Sequence, residues 1–283
     1  MRHWSRGSTI AMVTSGVIAV LSLAVMSKAG QAPAYRAPRS ADGKADLNGI
    51  WQALNTANWD IQAHGAGPSA FPRLLGALDA EPPGVGVVEG NEIPYQPWAA
   101  AKKKENFEKR LNPPLDKETN DTTGDPEAKC FMPGVPRATY MPFPFQIVQT
   151  PKYVMIAYEY ANAHRMIHMD RKPLSPAPSW MGWSIGRWEG ETLVVDVTDQ
   201  VDRTWFDRAG NFHSDALHVV ERYTPVSRDA LSYEATIEDP KVFTRPWKMS
   251  LILYRSLDKN AQLMEFKCVE FAEPFMYGHL VKQ

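Results

Sequence analysis

From Phe145 to Val269 the chain strings together short runs of β-branched and aromatic residues, parted by turn residues and with no helical stretch between them. The runs are 145–149, 153–160, 164–169, 184–188, 192–197, 217–223, 231–238, 248–254 and 262–269. Leu231, Tyr233, Ala235 and Ile237 alternate with Ser232, Glu234, Thr236 and Glu238, the period of a half-buried strand. Glu189-Gly190 before the run at 192 is a hairpin signal. Such spacing predicts an antiparallel meander. A sheet this long leaves costly edges unless it closes, so the expected fold is mainly β: a lipocalin-like up-and-down barrel of about eight to ten strands, with a two-sheet sandwich as the alternative.

The chain before this block has another texture. Prolines 68, 72, 82, 83, 94, 97, 113, 114 and 126 interrupt regular structure. One helix is expected over 98–110, with Trp98, Ala101 and Phe107 as its apolar positions and Pro113-Pro114 beyond its end. Asp46 to Trp51 reads as a turn leading into a first strand. The expected organisation is a leader over 1–29, a linker over 30–44, an irregular Pro-rich extension over 45–129 packed on the core, and the barrel over 130–283.

Arg2, His3 and Arg6 precede an uncharged apolar run, Ile10 to Met26, and small residues follow. This is the pattern of a secretory leader cleaved after Ala29. The run is short for a membrane span, which takes about 20 residues, so no stable span is expected after cleavage, and the expected location is periplasmic or secreted. Export changes the reading of the two cysteines. Cys130 and Cys268 are expected to pair in an oxidising compartment, the competing reading being two buried thiols. Pairing would join the first and last parts of the meander. With 31 basic against 32 acidic residues, the chain has no charge footprint for nucleic acid. The expected partner is a small hydrophobic or aromatic molecule.

Candidate chemistry gathers in the second half. Asp199 to Ser214 is a long connection between strand-like runs, and loops of that kind often carry function. Within it, Asp207 near His213 suggests a carboxylate orienting an imidazole for acid–base work; the structural alternative is that Asp207 and Arg208 pin the loop while His213 caps the next strand. His164, Met166, His168 and Asp170 fall on one face of a strand. They spread over about 20 Å, so one ion cannot take all three polar groups, and no metal is expected. A His168–Asp170 pair assisted by Tyr158 or Tyr160 is the second acid–base candidate, a phenol serving as donor to a developing oxyanion. His218 and Glu221 fall on opposite faces of their strand, with Arg222 beside His218. Trp180, Trp183, Trp205 and Trp247 offer stacking surfaces, the alternative being an aromatic mouth and plug of the barrel. Arg208 and Arg222 are candidate substrate-binding groups, and Arg245-Pro246-Trp247 before a strand reads as a clamp for an anionic group or as a structural cation–π pair. Gly182-Trp183-Ser184-Ile185-Gly186 has the letters of a nucleophile elbow but lacks the following helix, and no signature of an organic cofactor is present.

Three stretches carry a family resemblance: Cys130-Phe-Met-Pro-Gly-Val-Pro-Arg137, the run from Trp180 through Gly190 to Asp196, and His213-Ser-Asp-Ala-Leu-His-Val-Val-Glu-Arg222. Asp239-Pro240 to Pro246-Trp247 adds a fourth. Together they resemble a large family of exported bacterial proteins over about Asp46 to Phe271. The resemblance implies a single exported β domain and no mechanism. The function expected from the residues is a cofactor-independent enzyme of lyase, isomerase or hydrolase type; the alternative is a lipocalin-like carrier, and a third reading is an envelope interaction module.

Overall fold

Nine strands close into a barrel in a computed structural model that describes residues 35–67, 80–110, 114, 124–169 and 173–268. They are β1 (Gly49–Ala53), β2 (Phe145–Gln149), β3 (Tyr153–Tyr158), β4 (His164–His168), β5 (Trp183–Glu189), β6 (Thr192–Thr198), β7 (His218–Ser227), β8 (Ala230–Glu238) and β9 (Trp247–Arg255). The expected leader and Asp170 lie outside the described residues. From Arg36 on the chain is one compact unit.

Alternation builds the wall. Val219, Glu221 and Tyr223 of β7 point inward with Leu231, Tyr233, Ala235 and Ile237 of β8 and Met249 and Leu253 of β9, all buried. Burial of this face drives closure, at about 25 cal/mol per Å² of apolar surface removed from water. The expected hairpin at Glu189-Gly190 joins β5 and β6, and Gly190 takes the left-handed conformation (φ 61°) that glycine adopts without strain.

Two features depart from a simple meander. β4 and β5 run parallel, Ile167 beside Ser184 and His168 beside Ile185. Their connection contains Pro173, Pro176 and Pro178, which resist a tight hairpin, so the chain travels the barrel's length and enters β5 in the direction of β4. The expected strand at 262–269 is absent as far as it is described: 262–268 is irregular. The place beside β9 is taken by β1, which pairs with β9 through Trp51–Ala53 and with β2 through Gly49–Trp51. The barrel therefore recruits its closing strand from the segment before residue 130.

One end is stoppered. A short buried helix, α2 (Arg137–Tyr140), sits there, with Thr139 3.5 Å from the Tyr223 hydroxyl inside the barrel. The long loop after β6 lies over it: the Tyr140 hydroxyl donates to Phe206 O (2.7 Å), and Gln200 bonds both backbone groups of Val135. The upstream helix α1 (Pro97–Lys109) matches the expected span and carries proline at its first position. Its buried residues are Ala99 and Asn106, while Trp98 and Phe107 are exposed, so the apolar face read from the sequence is not the docked one. The contact is polar and close: Asn106 donates to Gly210 O, and a Cβ on Gly210 would stand 2.8 Å from Asn106 Cβ.

Candidate functional site

The barrel's interior is occupied by a buried ion pair. Arg165 of β4 meets Glu221 of β7 through two parallel hydrogen bonds, 2.7 and 3.0 Å. Glu221 Oε1 also accepts from the hydroxyls of Tyr223 (2.9 Å) and Tyr233 (2.8 Å). The remaining guanidinium donors reach Tyr158 Oη (3.1 Å), Tyr223 Oη (2.9 Å) and Ser184 Oγ (3.4 Å). Burial pushes the phenols of Tyr158, Tyr223 and Tyr233 above their ordinary range, so all three stay protonated. Tyr158 is thus inside the barrel, where its oxygen accepts from a guanidinium. Neither Arg165 nor Glu221 was singled out for this pairing from the sequence.

A second cluster holds the stopper. Arg137 bonds Asp125 twice (2.6 and 3.0 Å), Glu127 (2.7 Å) and Asn58 (2.8 Å). Arg208 adds a second fork onto Glu127, at 2.7 Å for both bonds, and its head lies over Trp59. Burial raises the Glu127 pKa, but Arg208 and Arg137 outweigh it and hold the group down at about 2. Tyr160 donates to the Glu127 carbonyl (3.1 Å).

His213 and Asp207 are both buried, each with its own partners. The Asp207 oxygens accept from Ile61 N–H (3.0 Å), Asn211 N–H (3.1 Å) and the Asn211 amide (2.6 Å). His213 Nδ1 lies 2.8 Å from Ser214 O, an acceptor only, so that nitrogen carries the proton and Nε2 accepts from Thr204 Oγ1 at 2.6 Å. Burial lowers the imidazole's pKa and favours this neutral form. No hydrogen bond joins Asp207 to His213 among the described residues.

His168 lies on the barrel's outer wall, stacked on Trp183 (4.6 Å) and edge-on to Tyr153 (5.4 Å). Trp183 donates to Pro173 O, Trp180 packs on Phe131, and Trp205 is buried in the loop, bridged to Phe212. Trp247 is buried against Phe206 and Phe243, and its indole N–H has no hydrogen-bond partner among the described residues. Arg222 faces out and bonds Glu189 (2.8 Å). His218, on the same outer face, lies between Asp196 and Glu238, opposite to Glu221 as the spacing requires. These groups do not share one opening. No group of three metal-ligating side chains occurs among the described residues.

One acid–base property does stand out. Burial, then the charge of Asp60, pushes the Asp207 carboxyl up to about 7 from 3.8, and burial raises Asp60 as well. A folded-state pKa above the unfolded one favours folding fully below about pH 4, and that advantage is lost as pH rises through about 7. Asp60→Asn removes the neighbouring charge while keeping an acceptor for Gln62 N–H. The loss of unfolding free energy between pH 4.5 and 7.5 should shrink by roughly 1.4 kcal/mol for each unit that the Asp207 pKa falls. Urea titrations at the two pH values check this, and an unchanged difference would disprove the coupling.

A groove opens where the barrel closes. Ile50, Gln52 and Leu54 from β1 and its end, Tyr254 and Arg255 of β9, Pro144, and Ser256, Ala261 and Gln262 beyond β9 enclose about 250 Å³. Leu54 is 69% exposed and Tyr254 46%, large apolar groups left open to solvent. Arg255 stacks over Trp51 at 4.2 Å. The walls are mostly apolar, with two glutamine amides, a serine hydroxyl and the Arg255 side chain among them. Cys130 and Cys268 form a disulfide, Cα atoms 5.7 Å apart. Among the described residues no helix is long and apolar enough to cross a membrane. No protein-family model, curated protein or solved structure matches the chain.

Proposed function

We propose that this is an exported binding protein for a small hydrophobic or aromatic molecule, held in the groove at the β1–β9 seam. The observation that carries the reading is the contrast between inside and outside. A lipocalin-like carrier would use the barrel's interior, but Arg165, Glu221 and three tyrosines occupy it. The seam groove has the character of a ligand site, apolar walls with a few polar groups, and its 250 Å³ lies just below the roughly 300–1,000 Å³ of typical pockets. That size suits a ligand of one or two rings. The disulfide and the leader-like N-terminus support the periplasm or extracellular space as its location.

The probe is N-phenyl-1-naphthylamine, whose fluorescence rises on entering an apolar site. It should bind saturably, and Tyr254→Ala or Leu54→Asp should weaken it about tenfold, the loss of roughly 1.4 kcal/mol of apolar contact. Equal affinity in both variants, or no saturable binding, would refute the assignment.

A second reading is cofactor-independent acid–base catalysis of lyase, isomerase or hydrolase type. It is favoured by the Asp207 carboxyl at about 7 behind half-buried Asp60. Its signature is a pH–rate limb near 7 that disappears in Asp207→Asn.

A further inference from the structure

After β9 the chain runs as a strap, residues 256–268, with no ladder partner. Ser256 N–H roots it on Ile50 O (2.8 Å), and Ala261 and Gln262 form one wall of the groove. Further on, Met264 N–H donates to Glu159 (2.7 Å), and Phe266 packs edge-on against Phe143 (5.3 Å) and tilted on Tyr160 (4.8 Å). Cys268, exposed, then ties the strap to half-buried Cys130. Beyond the wall residues the strap is therefore held, among the described residues, by one hydrogen bond to a carboxylate, two ring contacts of Phe266 and one covalent bond. The ladders that close the barrel do not include that bond, since β1 pairs with both β2 and β9.

We propose that the Cys130–Cys268 disulfide is a redox-sensitive clamp that keeps the strap in place as a wall of the seam groove, so that reduction by a thiol opens the groove and lowers its affinity. The inference rests on the reading of the groove as a ligand site. A thiolate of a dithiol reductant attacks the sulfur of Cys268, the more exposed of the two residues, forming a mixed disulfide and releasing Cys130 as a thiolate. The reductant's second thiolate displaces Cys268, also as a thiolate. Both cysteines then take up protons, and two electrons have passed from the reductant, which leaves as a disulfide. With the covalent anchor gone, a single hydrogen bond and the two ring contacts of Phe266 oppose the chain entropy of the strap beyond the groove wall.

Hydrogen exchange of the full chain, oxidised and after dithiothreitol, tests the clamp alongside naphthylamine titrations of both forms, with Cys268→Ser as a second route to the unclamped state. Amides of 256–268 should exchange at least tenfold faster when unclamped, barrel strands should keep their protection, and probe affinity should fall at least fivefold. Unchanged strap exchange overturns the proposal. Loss of protection in β1 and β9 as well overturns it too, since the bond would then be a staple of the whole fold. Strap loosening with probe binding to neither form supports the clamp and refutes the groove as the ligand site. Strap loosening with equal probe affinity refutes the link between clamp and groove.

Discussion

Glu221→Ala should lower the free energy of unfolding by about 3–5 kcal/mol, a large part of the 5–15 kcal/mol typical of a folded domain. The substitution strands three donors at once. Arg165 is buried and loses its only carboxylate partner among the described residues, and Tyr223 and Tyr233 lose their shared acceptor. A guanidinium cannot escape by giving up its proton. The reverse variant behaves differently. In Arg165→Met the carboxylate keeps its two phenol donors, Tyr223 and Tyr233, so fewer buried groups lose their partners. Arg165→Met should therefore cost less than Glu221→Ala, by about 1 kcal/mol, the worth of a retained hydrogen bond. Urea denaturation of the two variants side by side separates them. A Glu221→Ala protein within 1 kcal/mol of the parent would mean that the network adds nothing to the fold.

The same network shows where the sequence was legible. In β7, Glu221 alternates in phase with Val219 and Tyr223, and in β4, Arg165 alternates with Ile167. A charge in step with apolar neighbours is the mark of an inward-facing ion, and two of opposite sign imply a pair. Attention falls instead on His164, Met166 and His168, which do share a face, the outer one. Nothing within five residues of β4 says which face turns inward; the partner strands decide it. Most of the wall, from β2 to β9, was readable because period-2 runs and short turns are local signals. The first strand was also legible after the turn at Asp46, but its closing role was not, because β1 is parted from its neighbours by most of the extension and its pairing is a property of the closed sheet.

The motif residues that suggest chemistry are largely engaged with one another. Arg187 bonds Asp196 and Glu189, Ser214 bonds Asp239 through both its N–H (2.6 Å) and its hydroxyl (2.9 Å), and Gly134 packs against Thr204, which holds His213. Composition alone does not separate an imidazole held by a hydroxyl and a carbonyl from one aimed at a substrate. The distinguishing fact is geometric: whether a side chain's hydrogen-bonding capacity is already spent. By that criterion His213 is a linchpin of the loop over the stopper, while the seam groove, made of Leu54, Pro144, Tyr254 and Gln262, carries no motif to draw the eye.

The stopper itself should depend on Arg137 as heavily as the interior depends on Glu221. Arg137→Met leaves Asp125 and Glu127 without their shared cation, both carboxylates being largely buried, and should cost about 3–5 kcal/mol. Arg208→Met should cost roughly 1 kcal/mol, because that side chain is 38% exposed and water compensates for part of what is lost. The acid limb makes the assignment specific. Glu127 is held at about 2 in the folded protein against an ordinary glutamate value of 4.5, so its contribution is present above about pH 4.5 and is lost as pH falls through about 2. Removing Arg137 raises the folded value toward the ordinary one, and burial then acts unopposed by it. The midpoint of acid unfolding should move up accordingly in Arg137→Met, and at least as far in Arg208→Met, because the Arg208 charge and its two hydrogen bonds are the larger influence holding Glu127 down. Circular dichroism across pH 2–6 reads this directly. An Arg137→Met protein with the parent's acid midpoint would show that the stopper is held by packing of Ala138, Tyr140 and Phe206, not by its ion pairs.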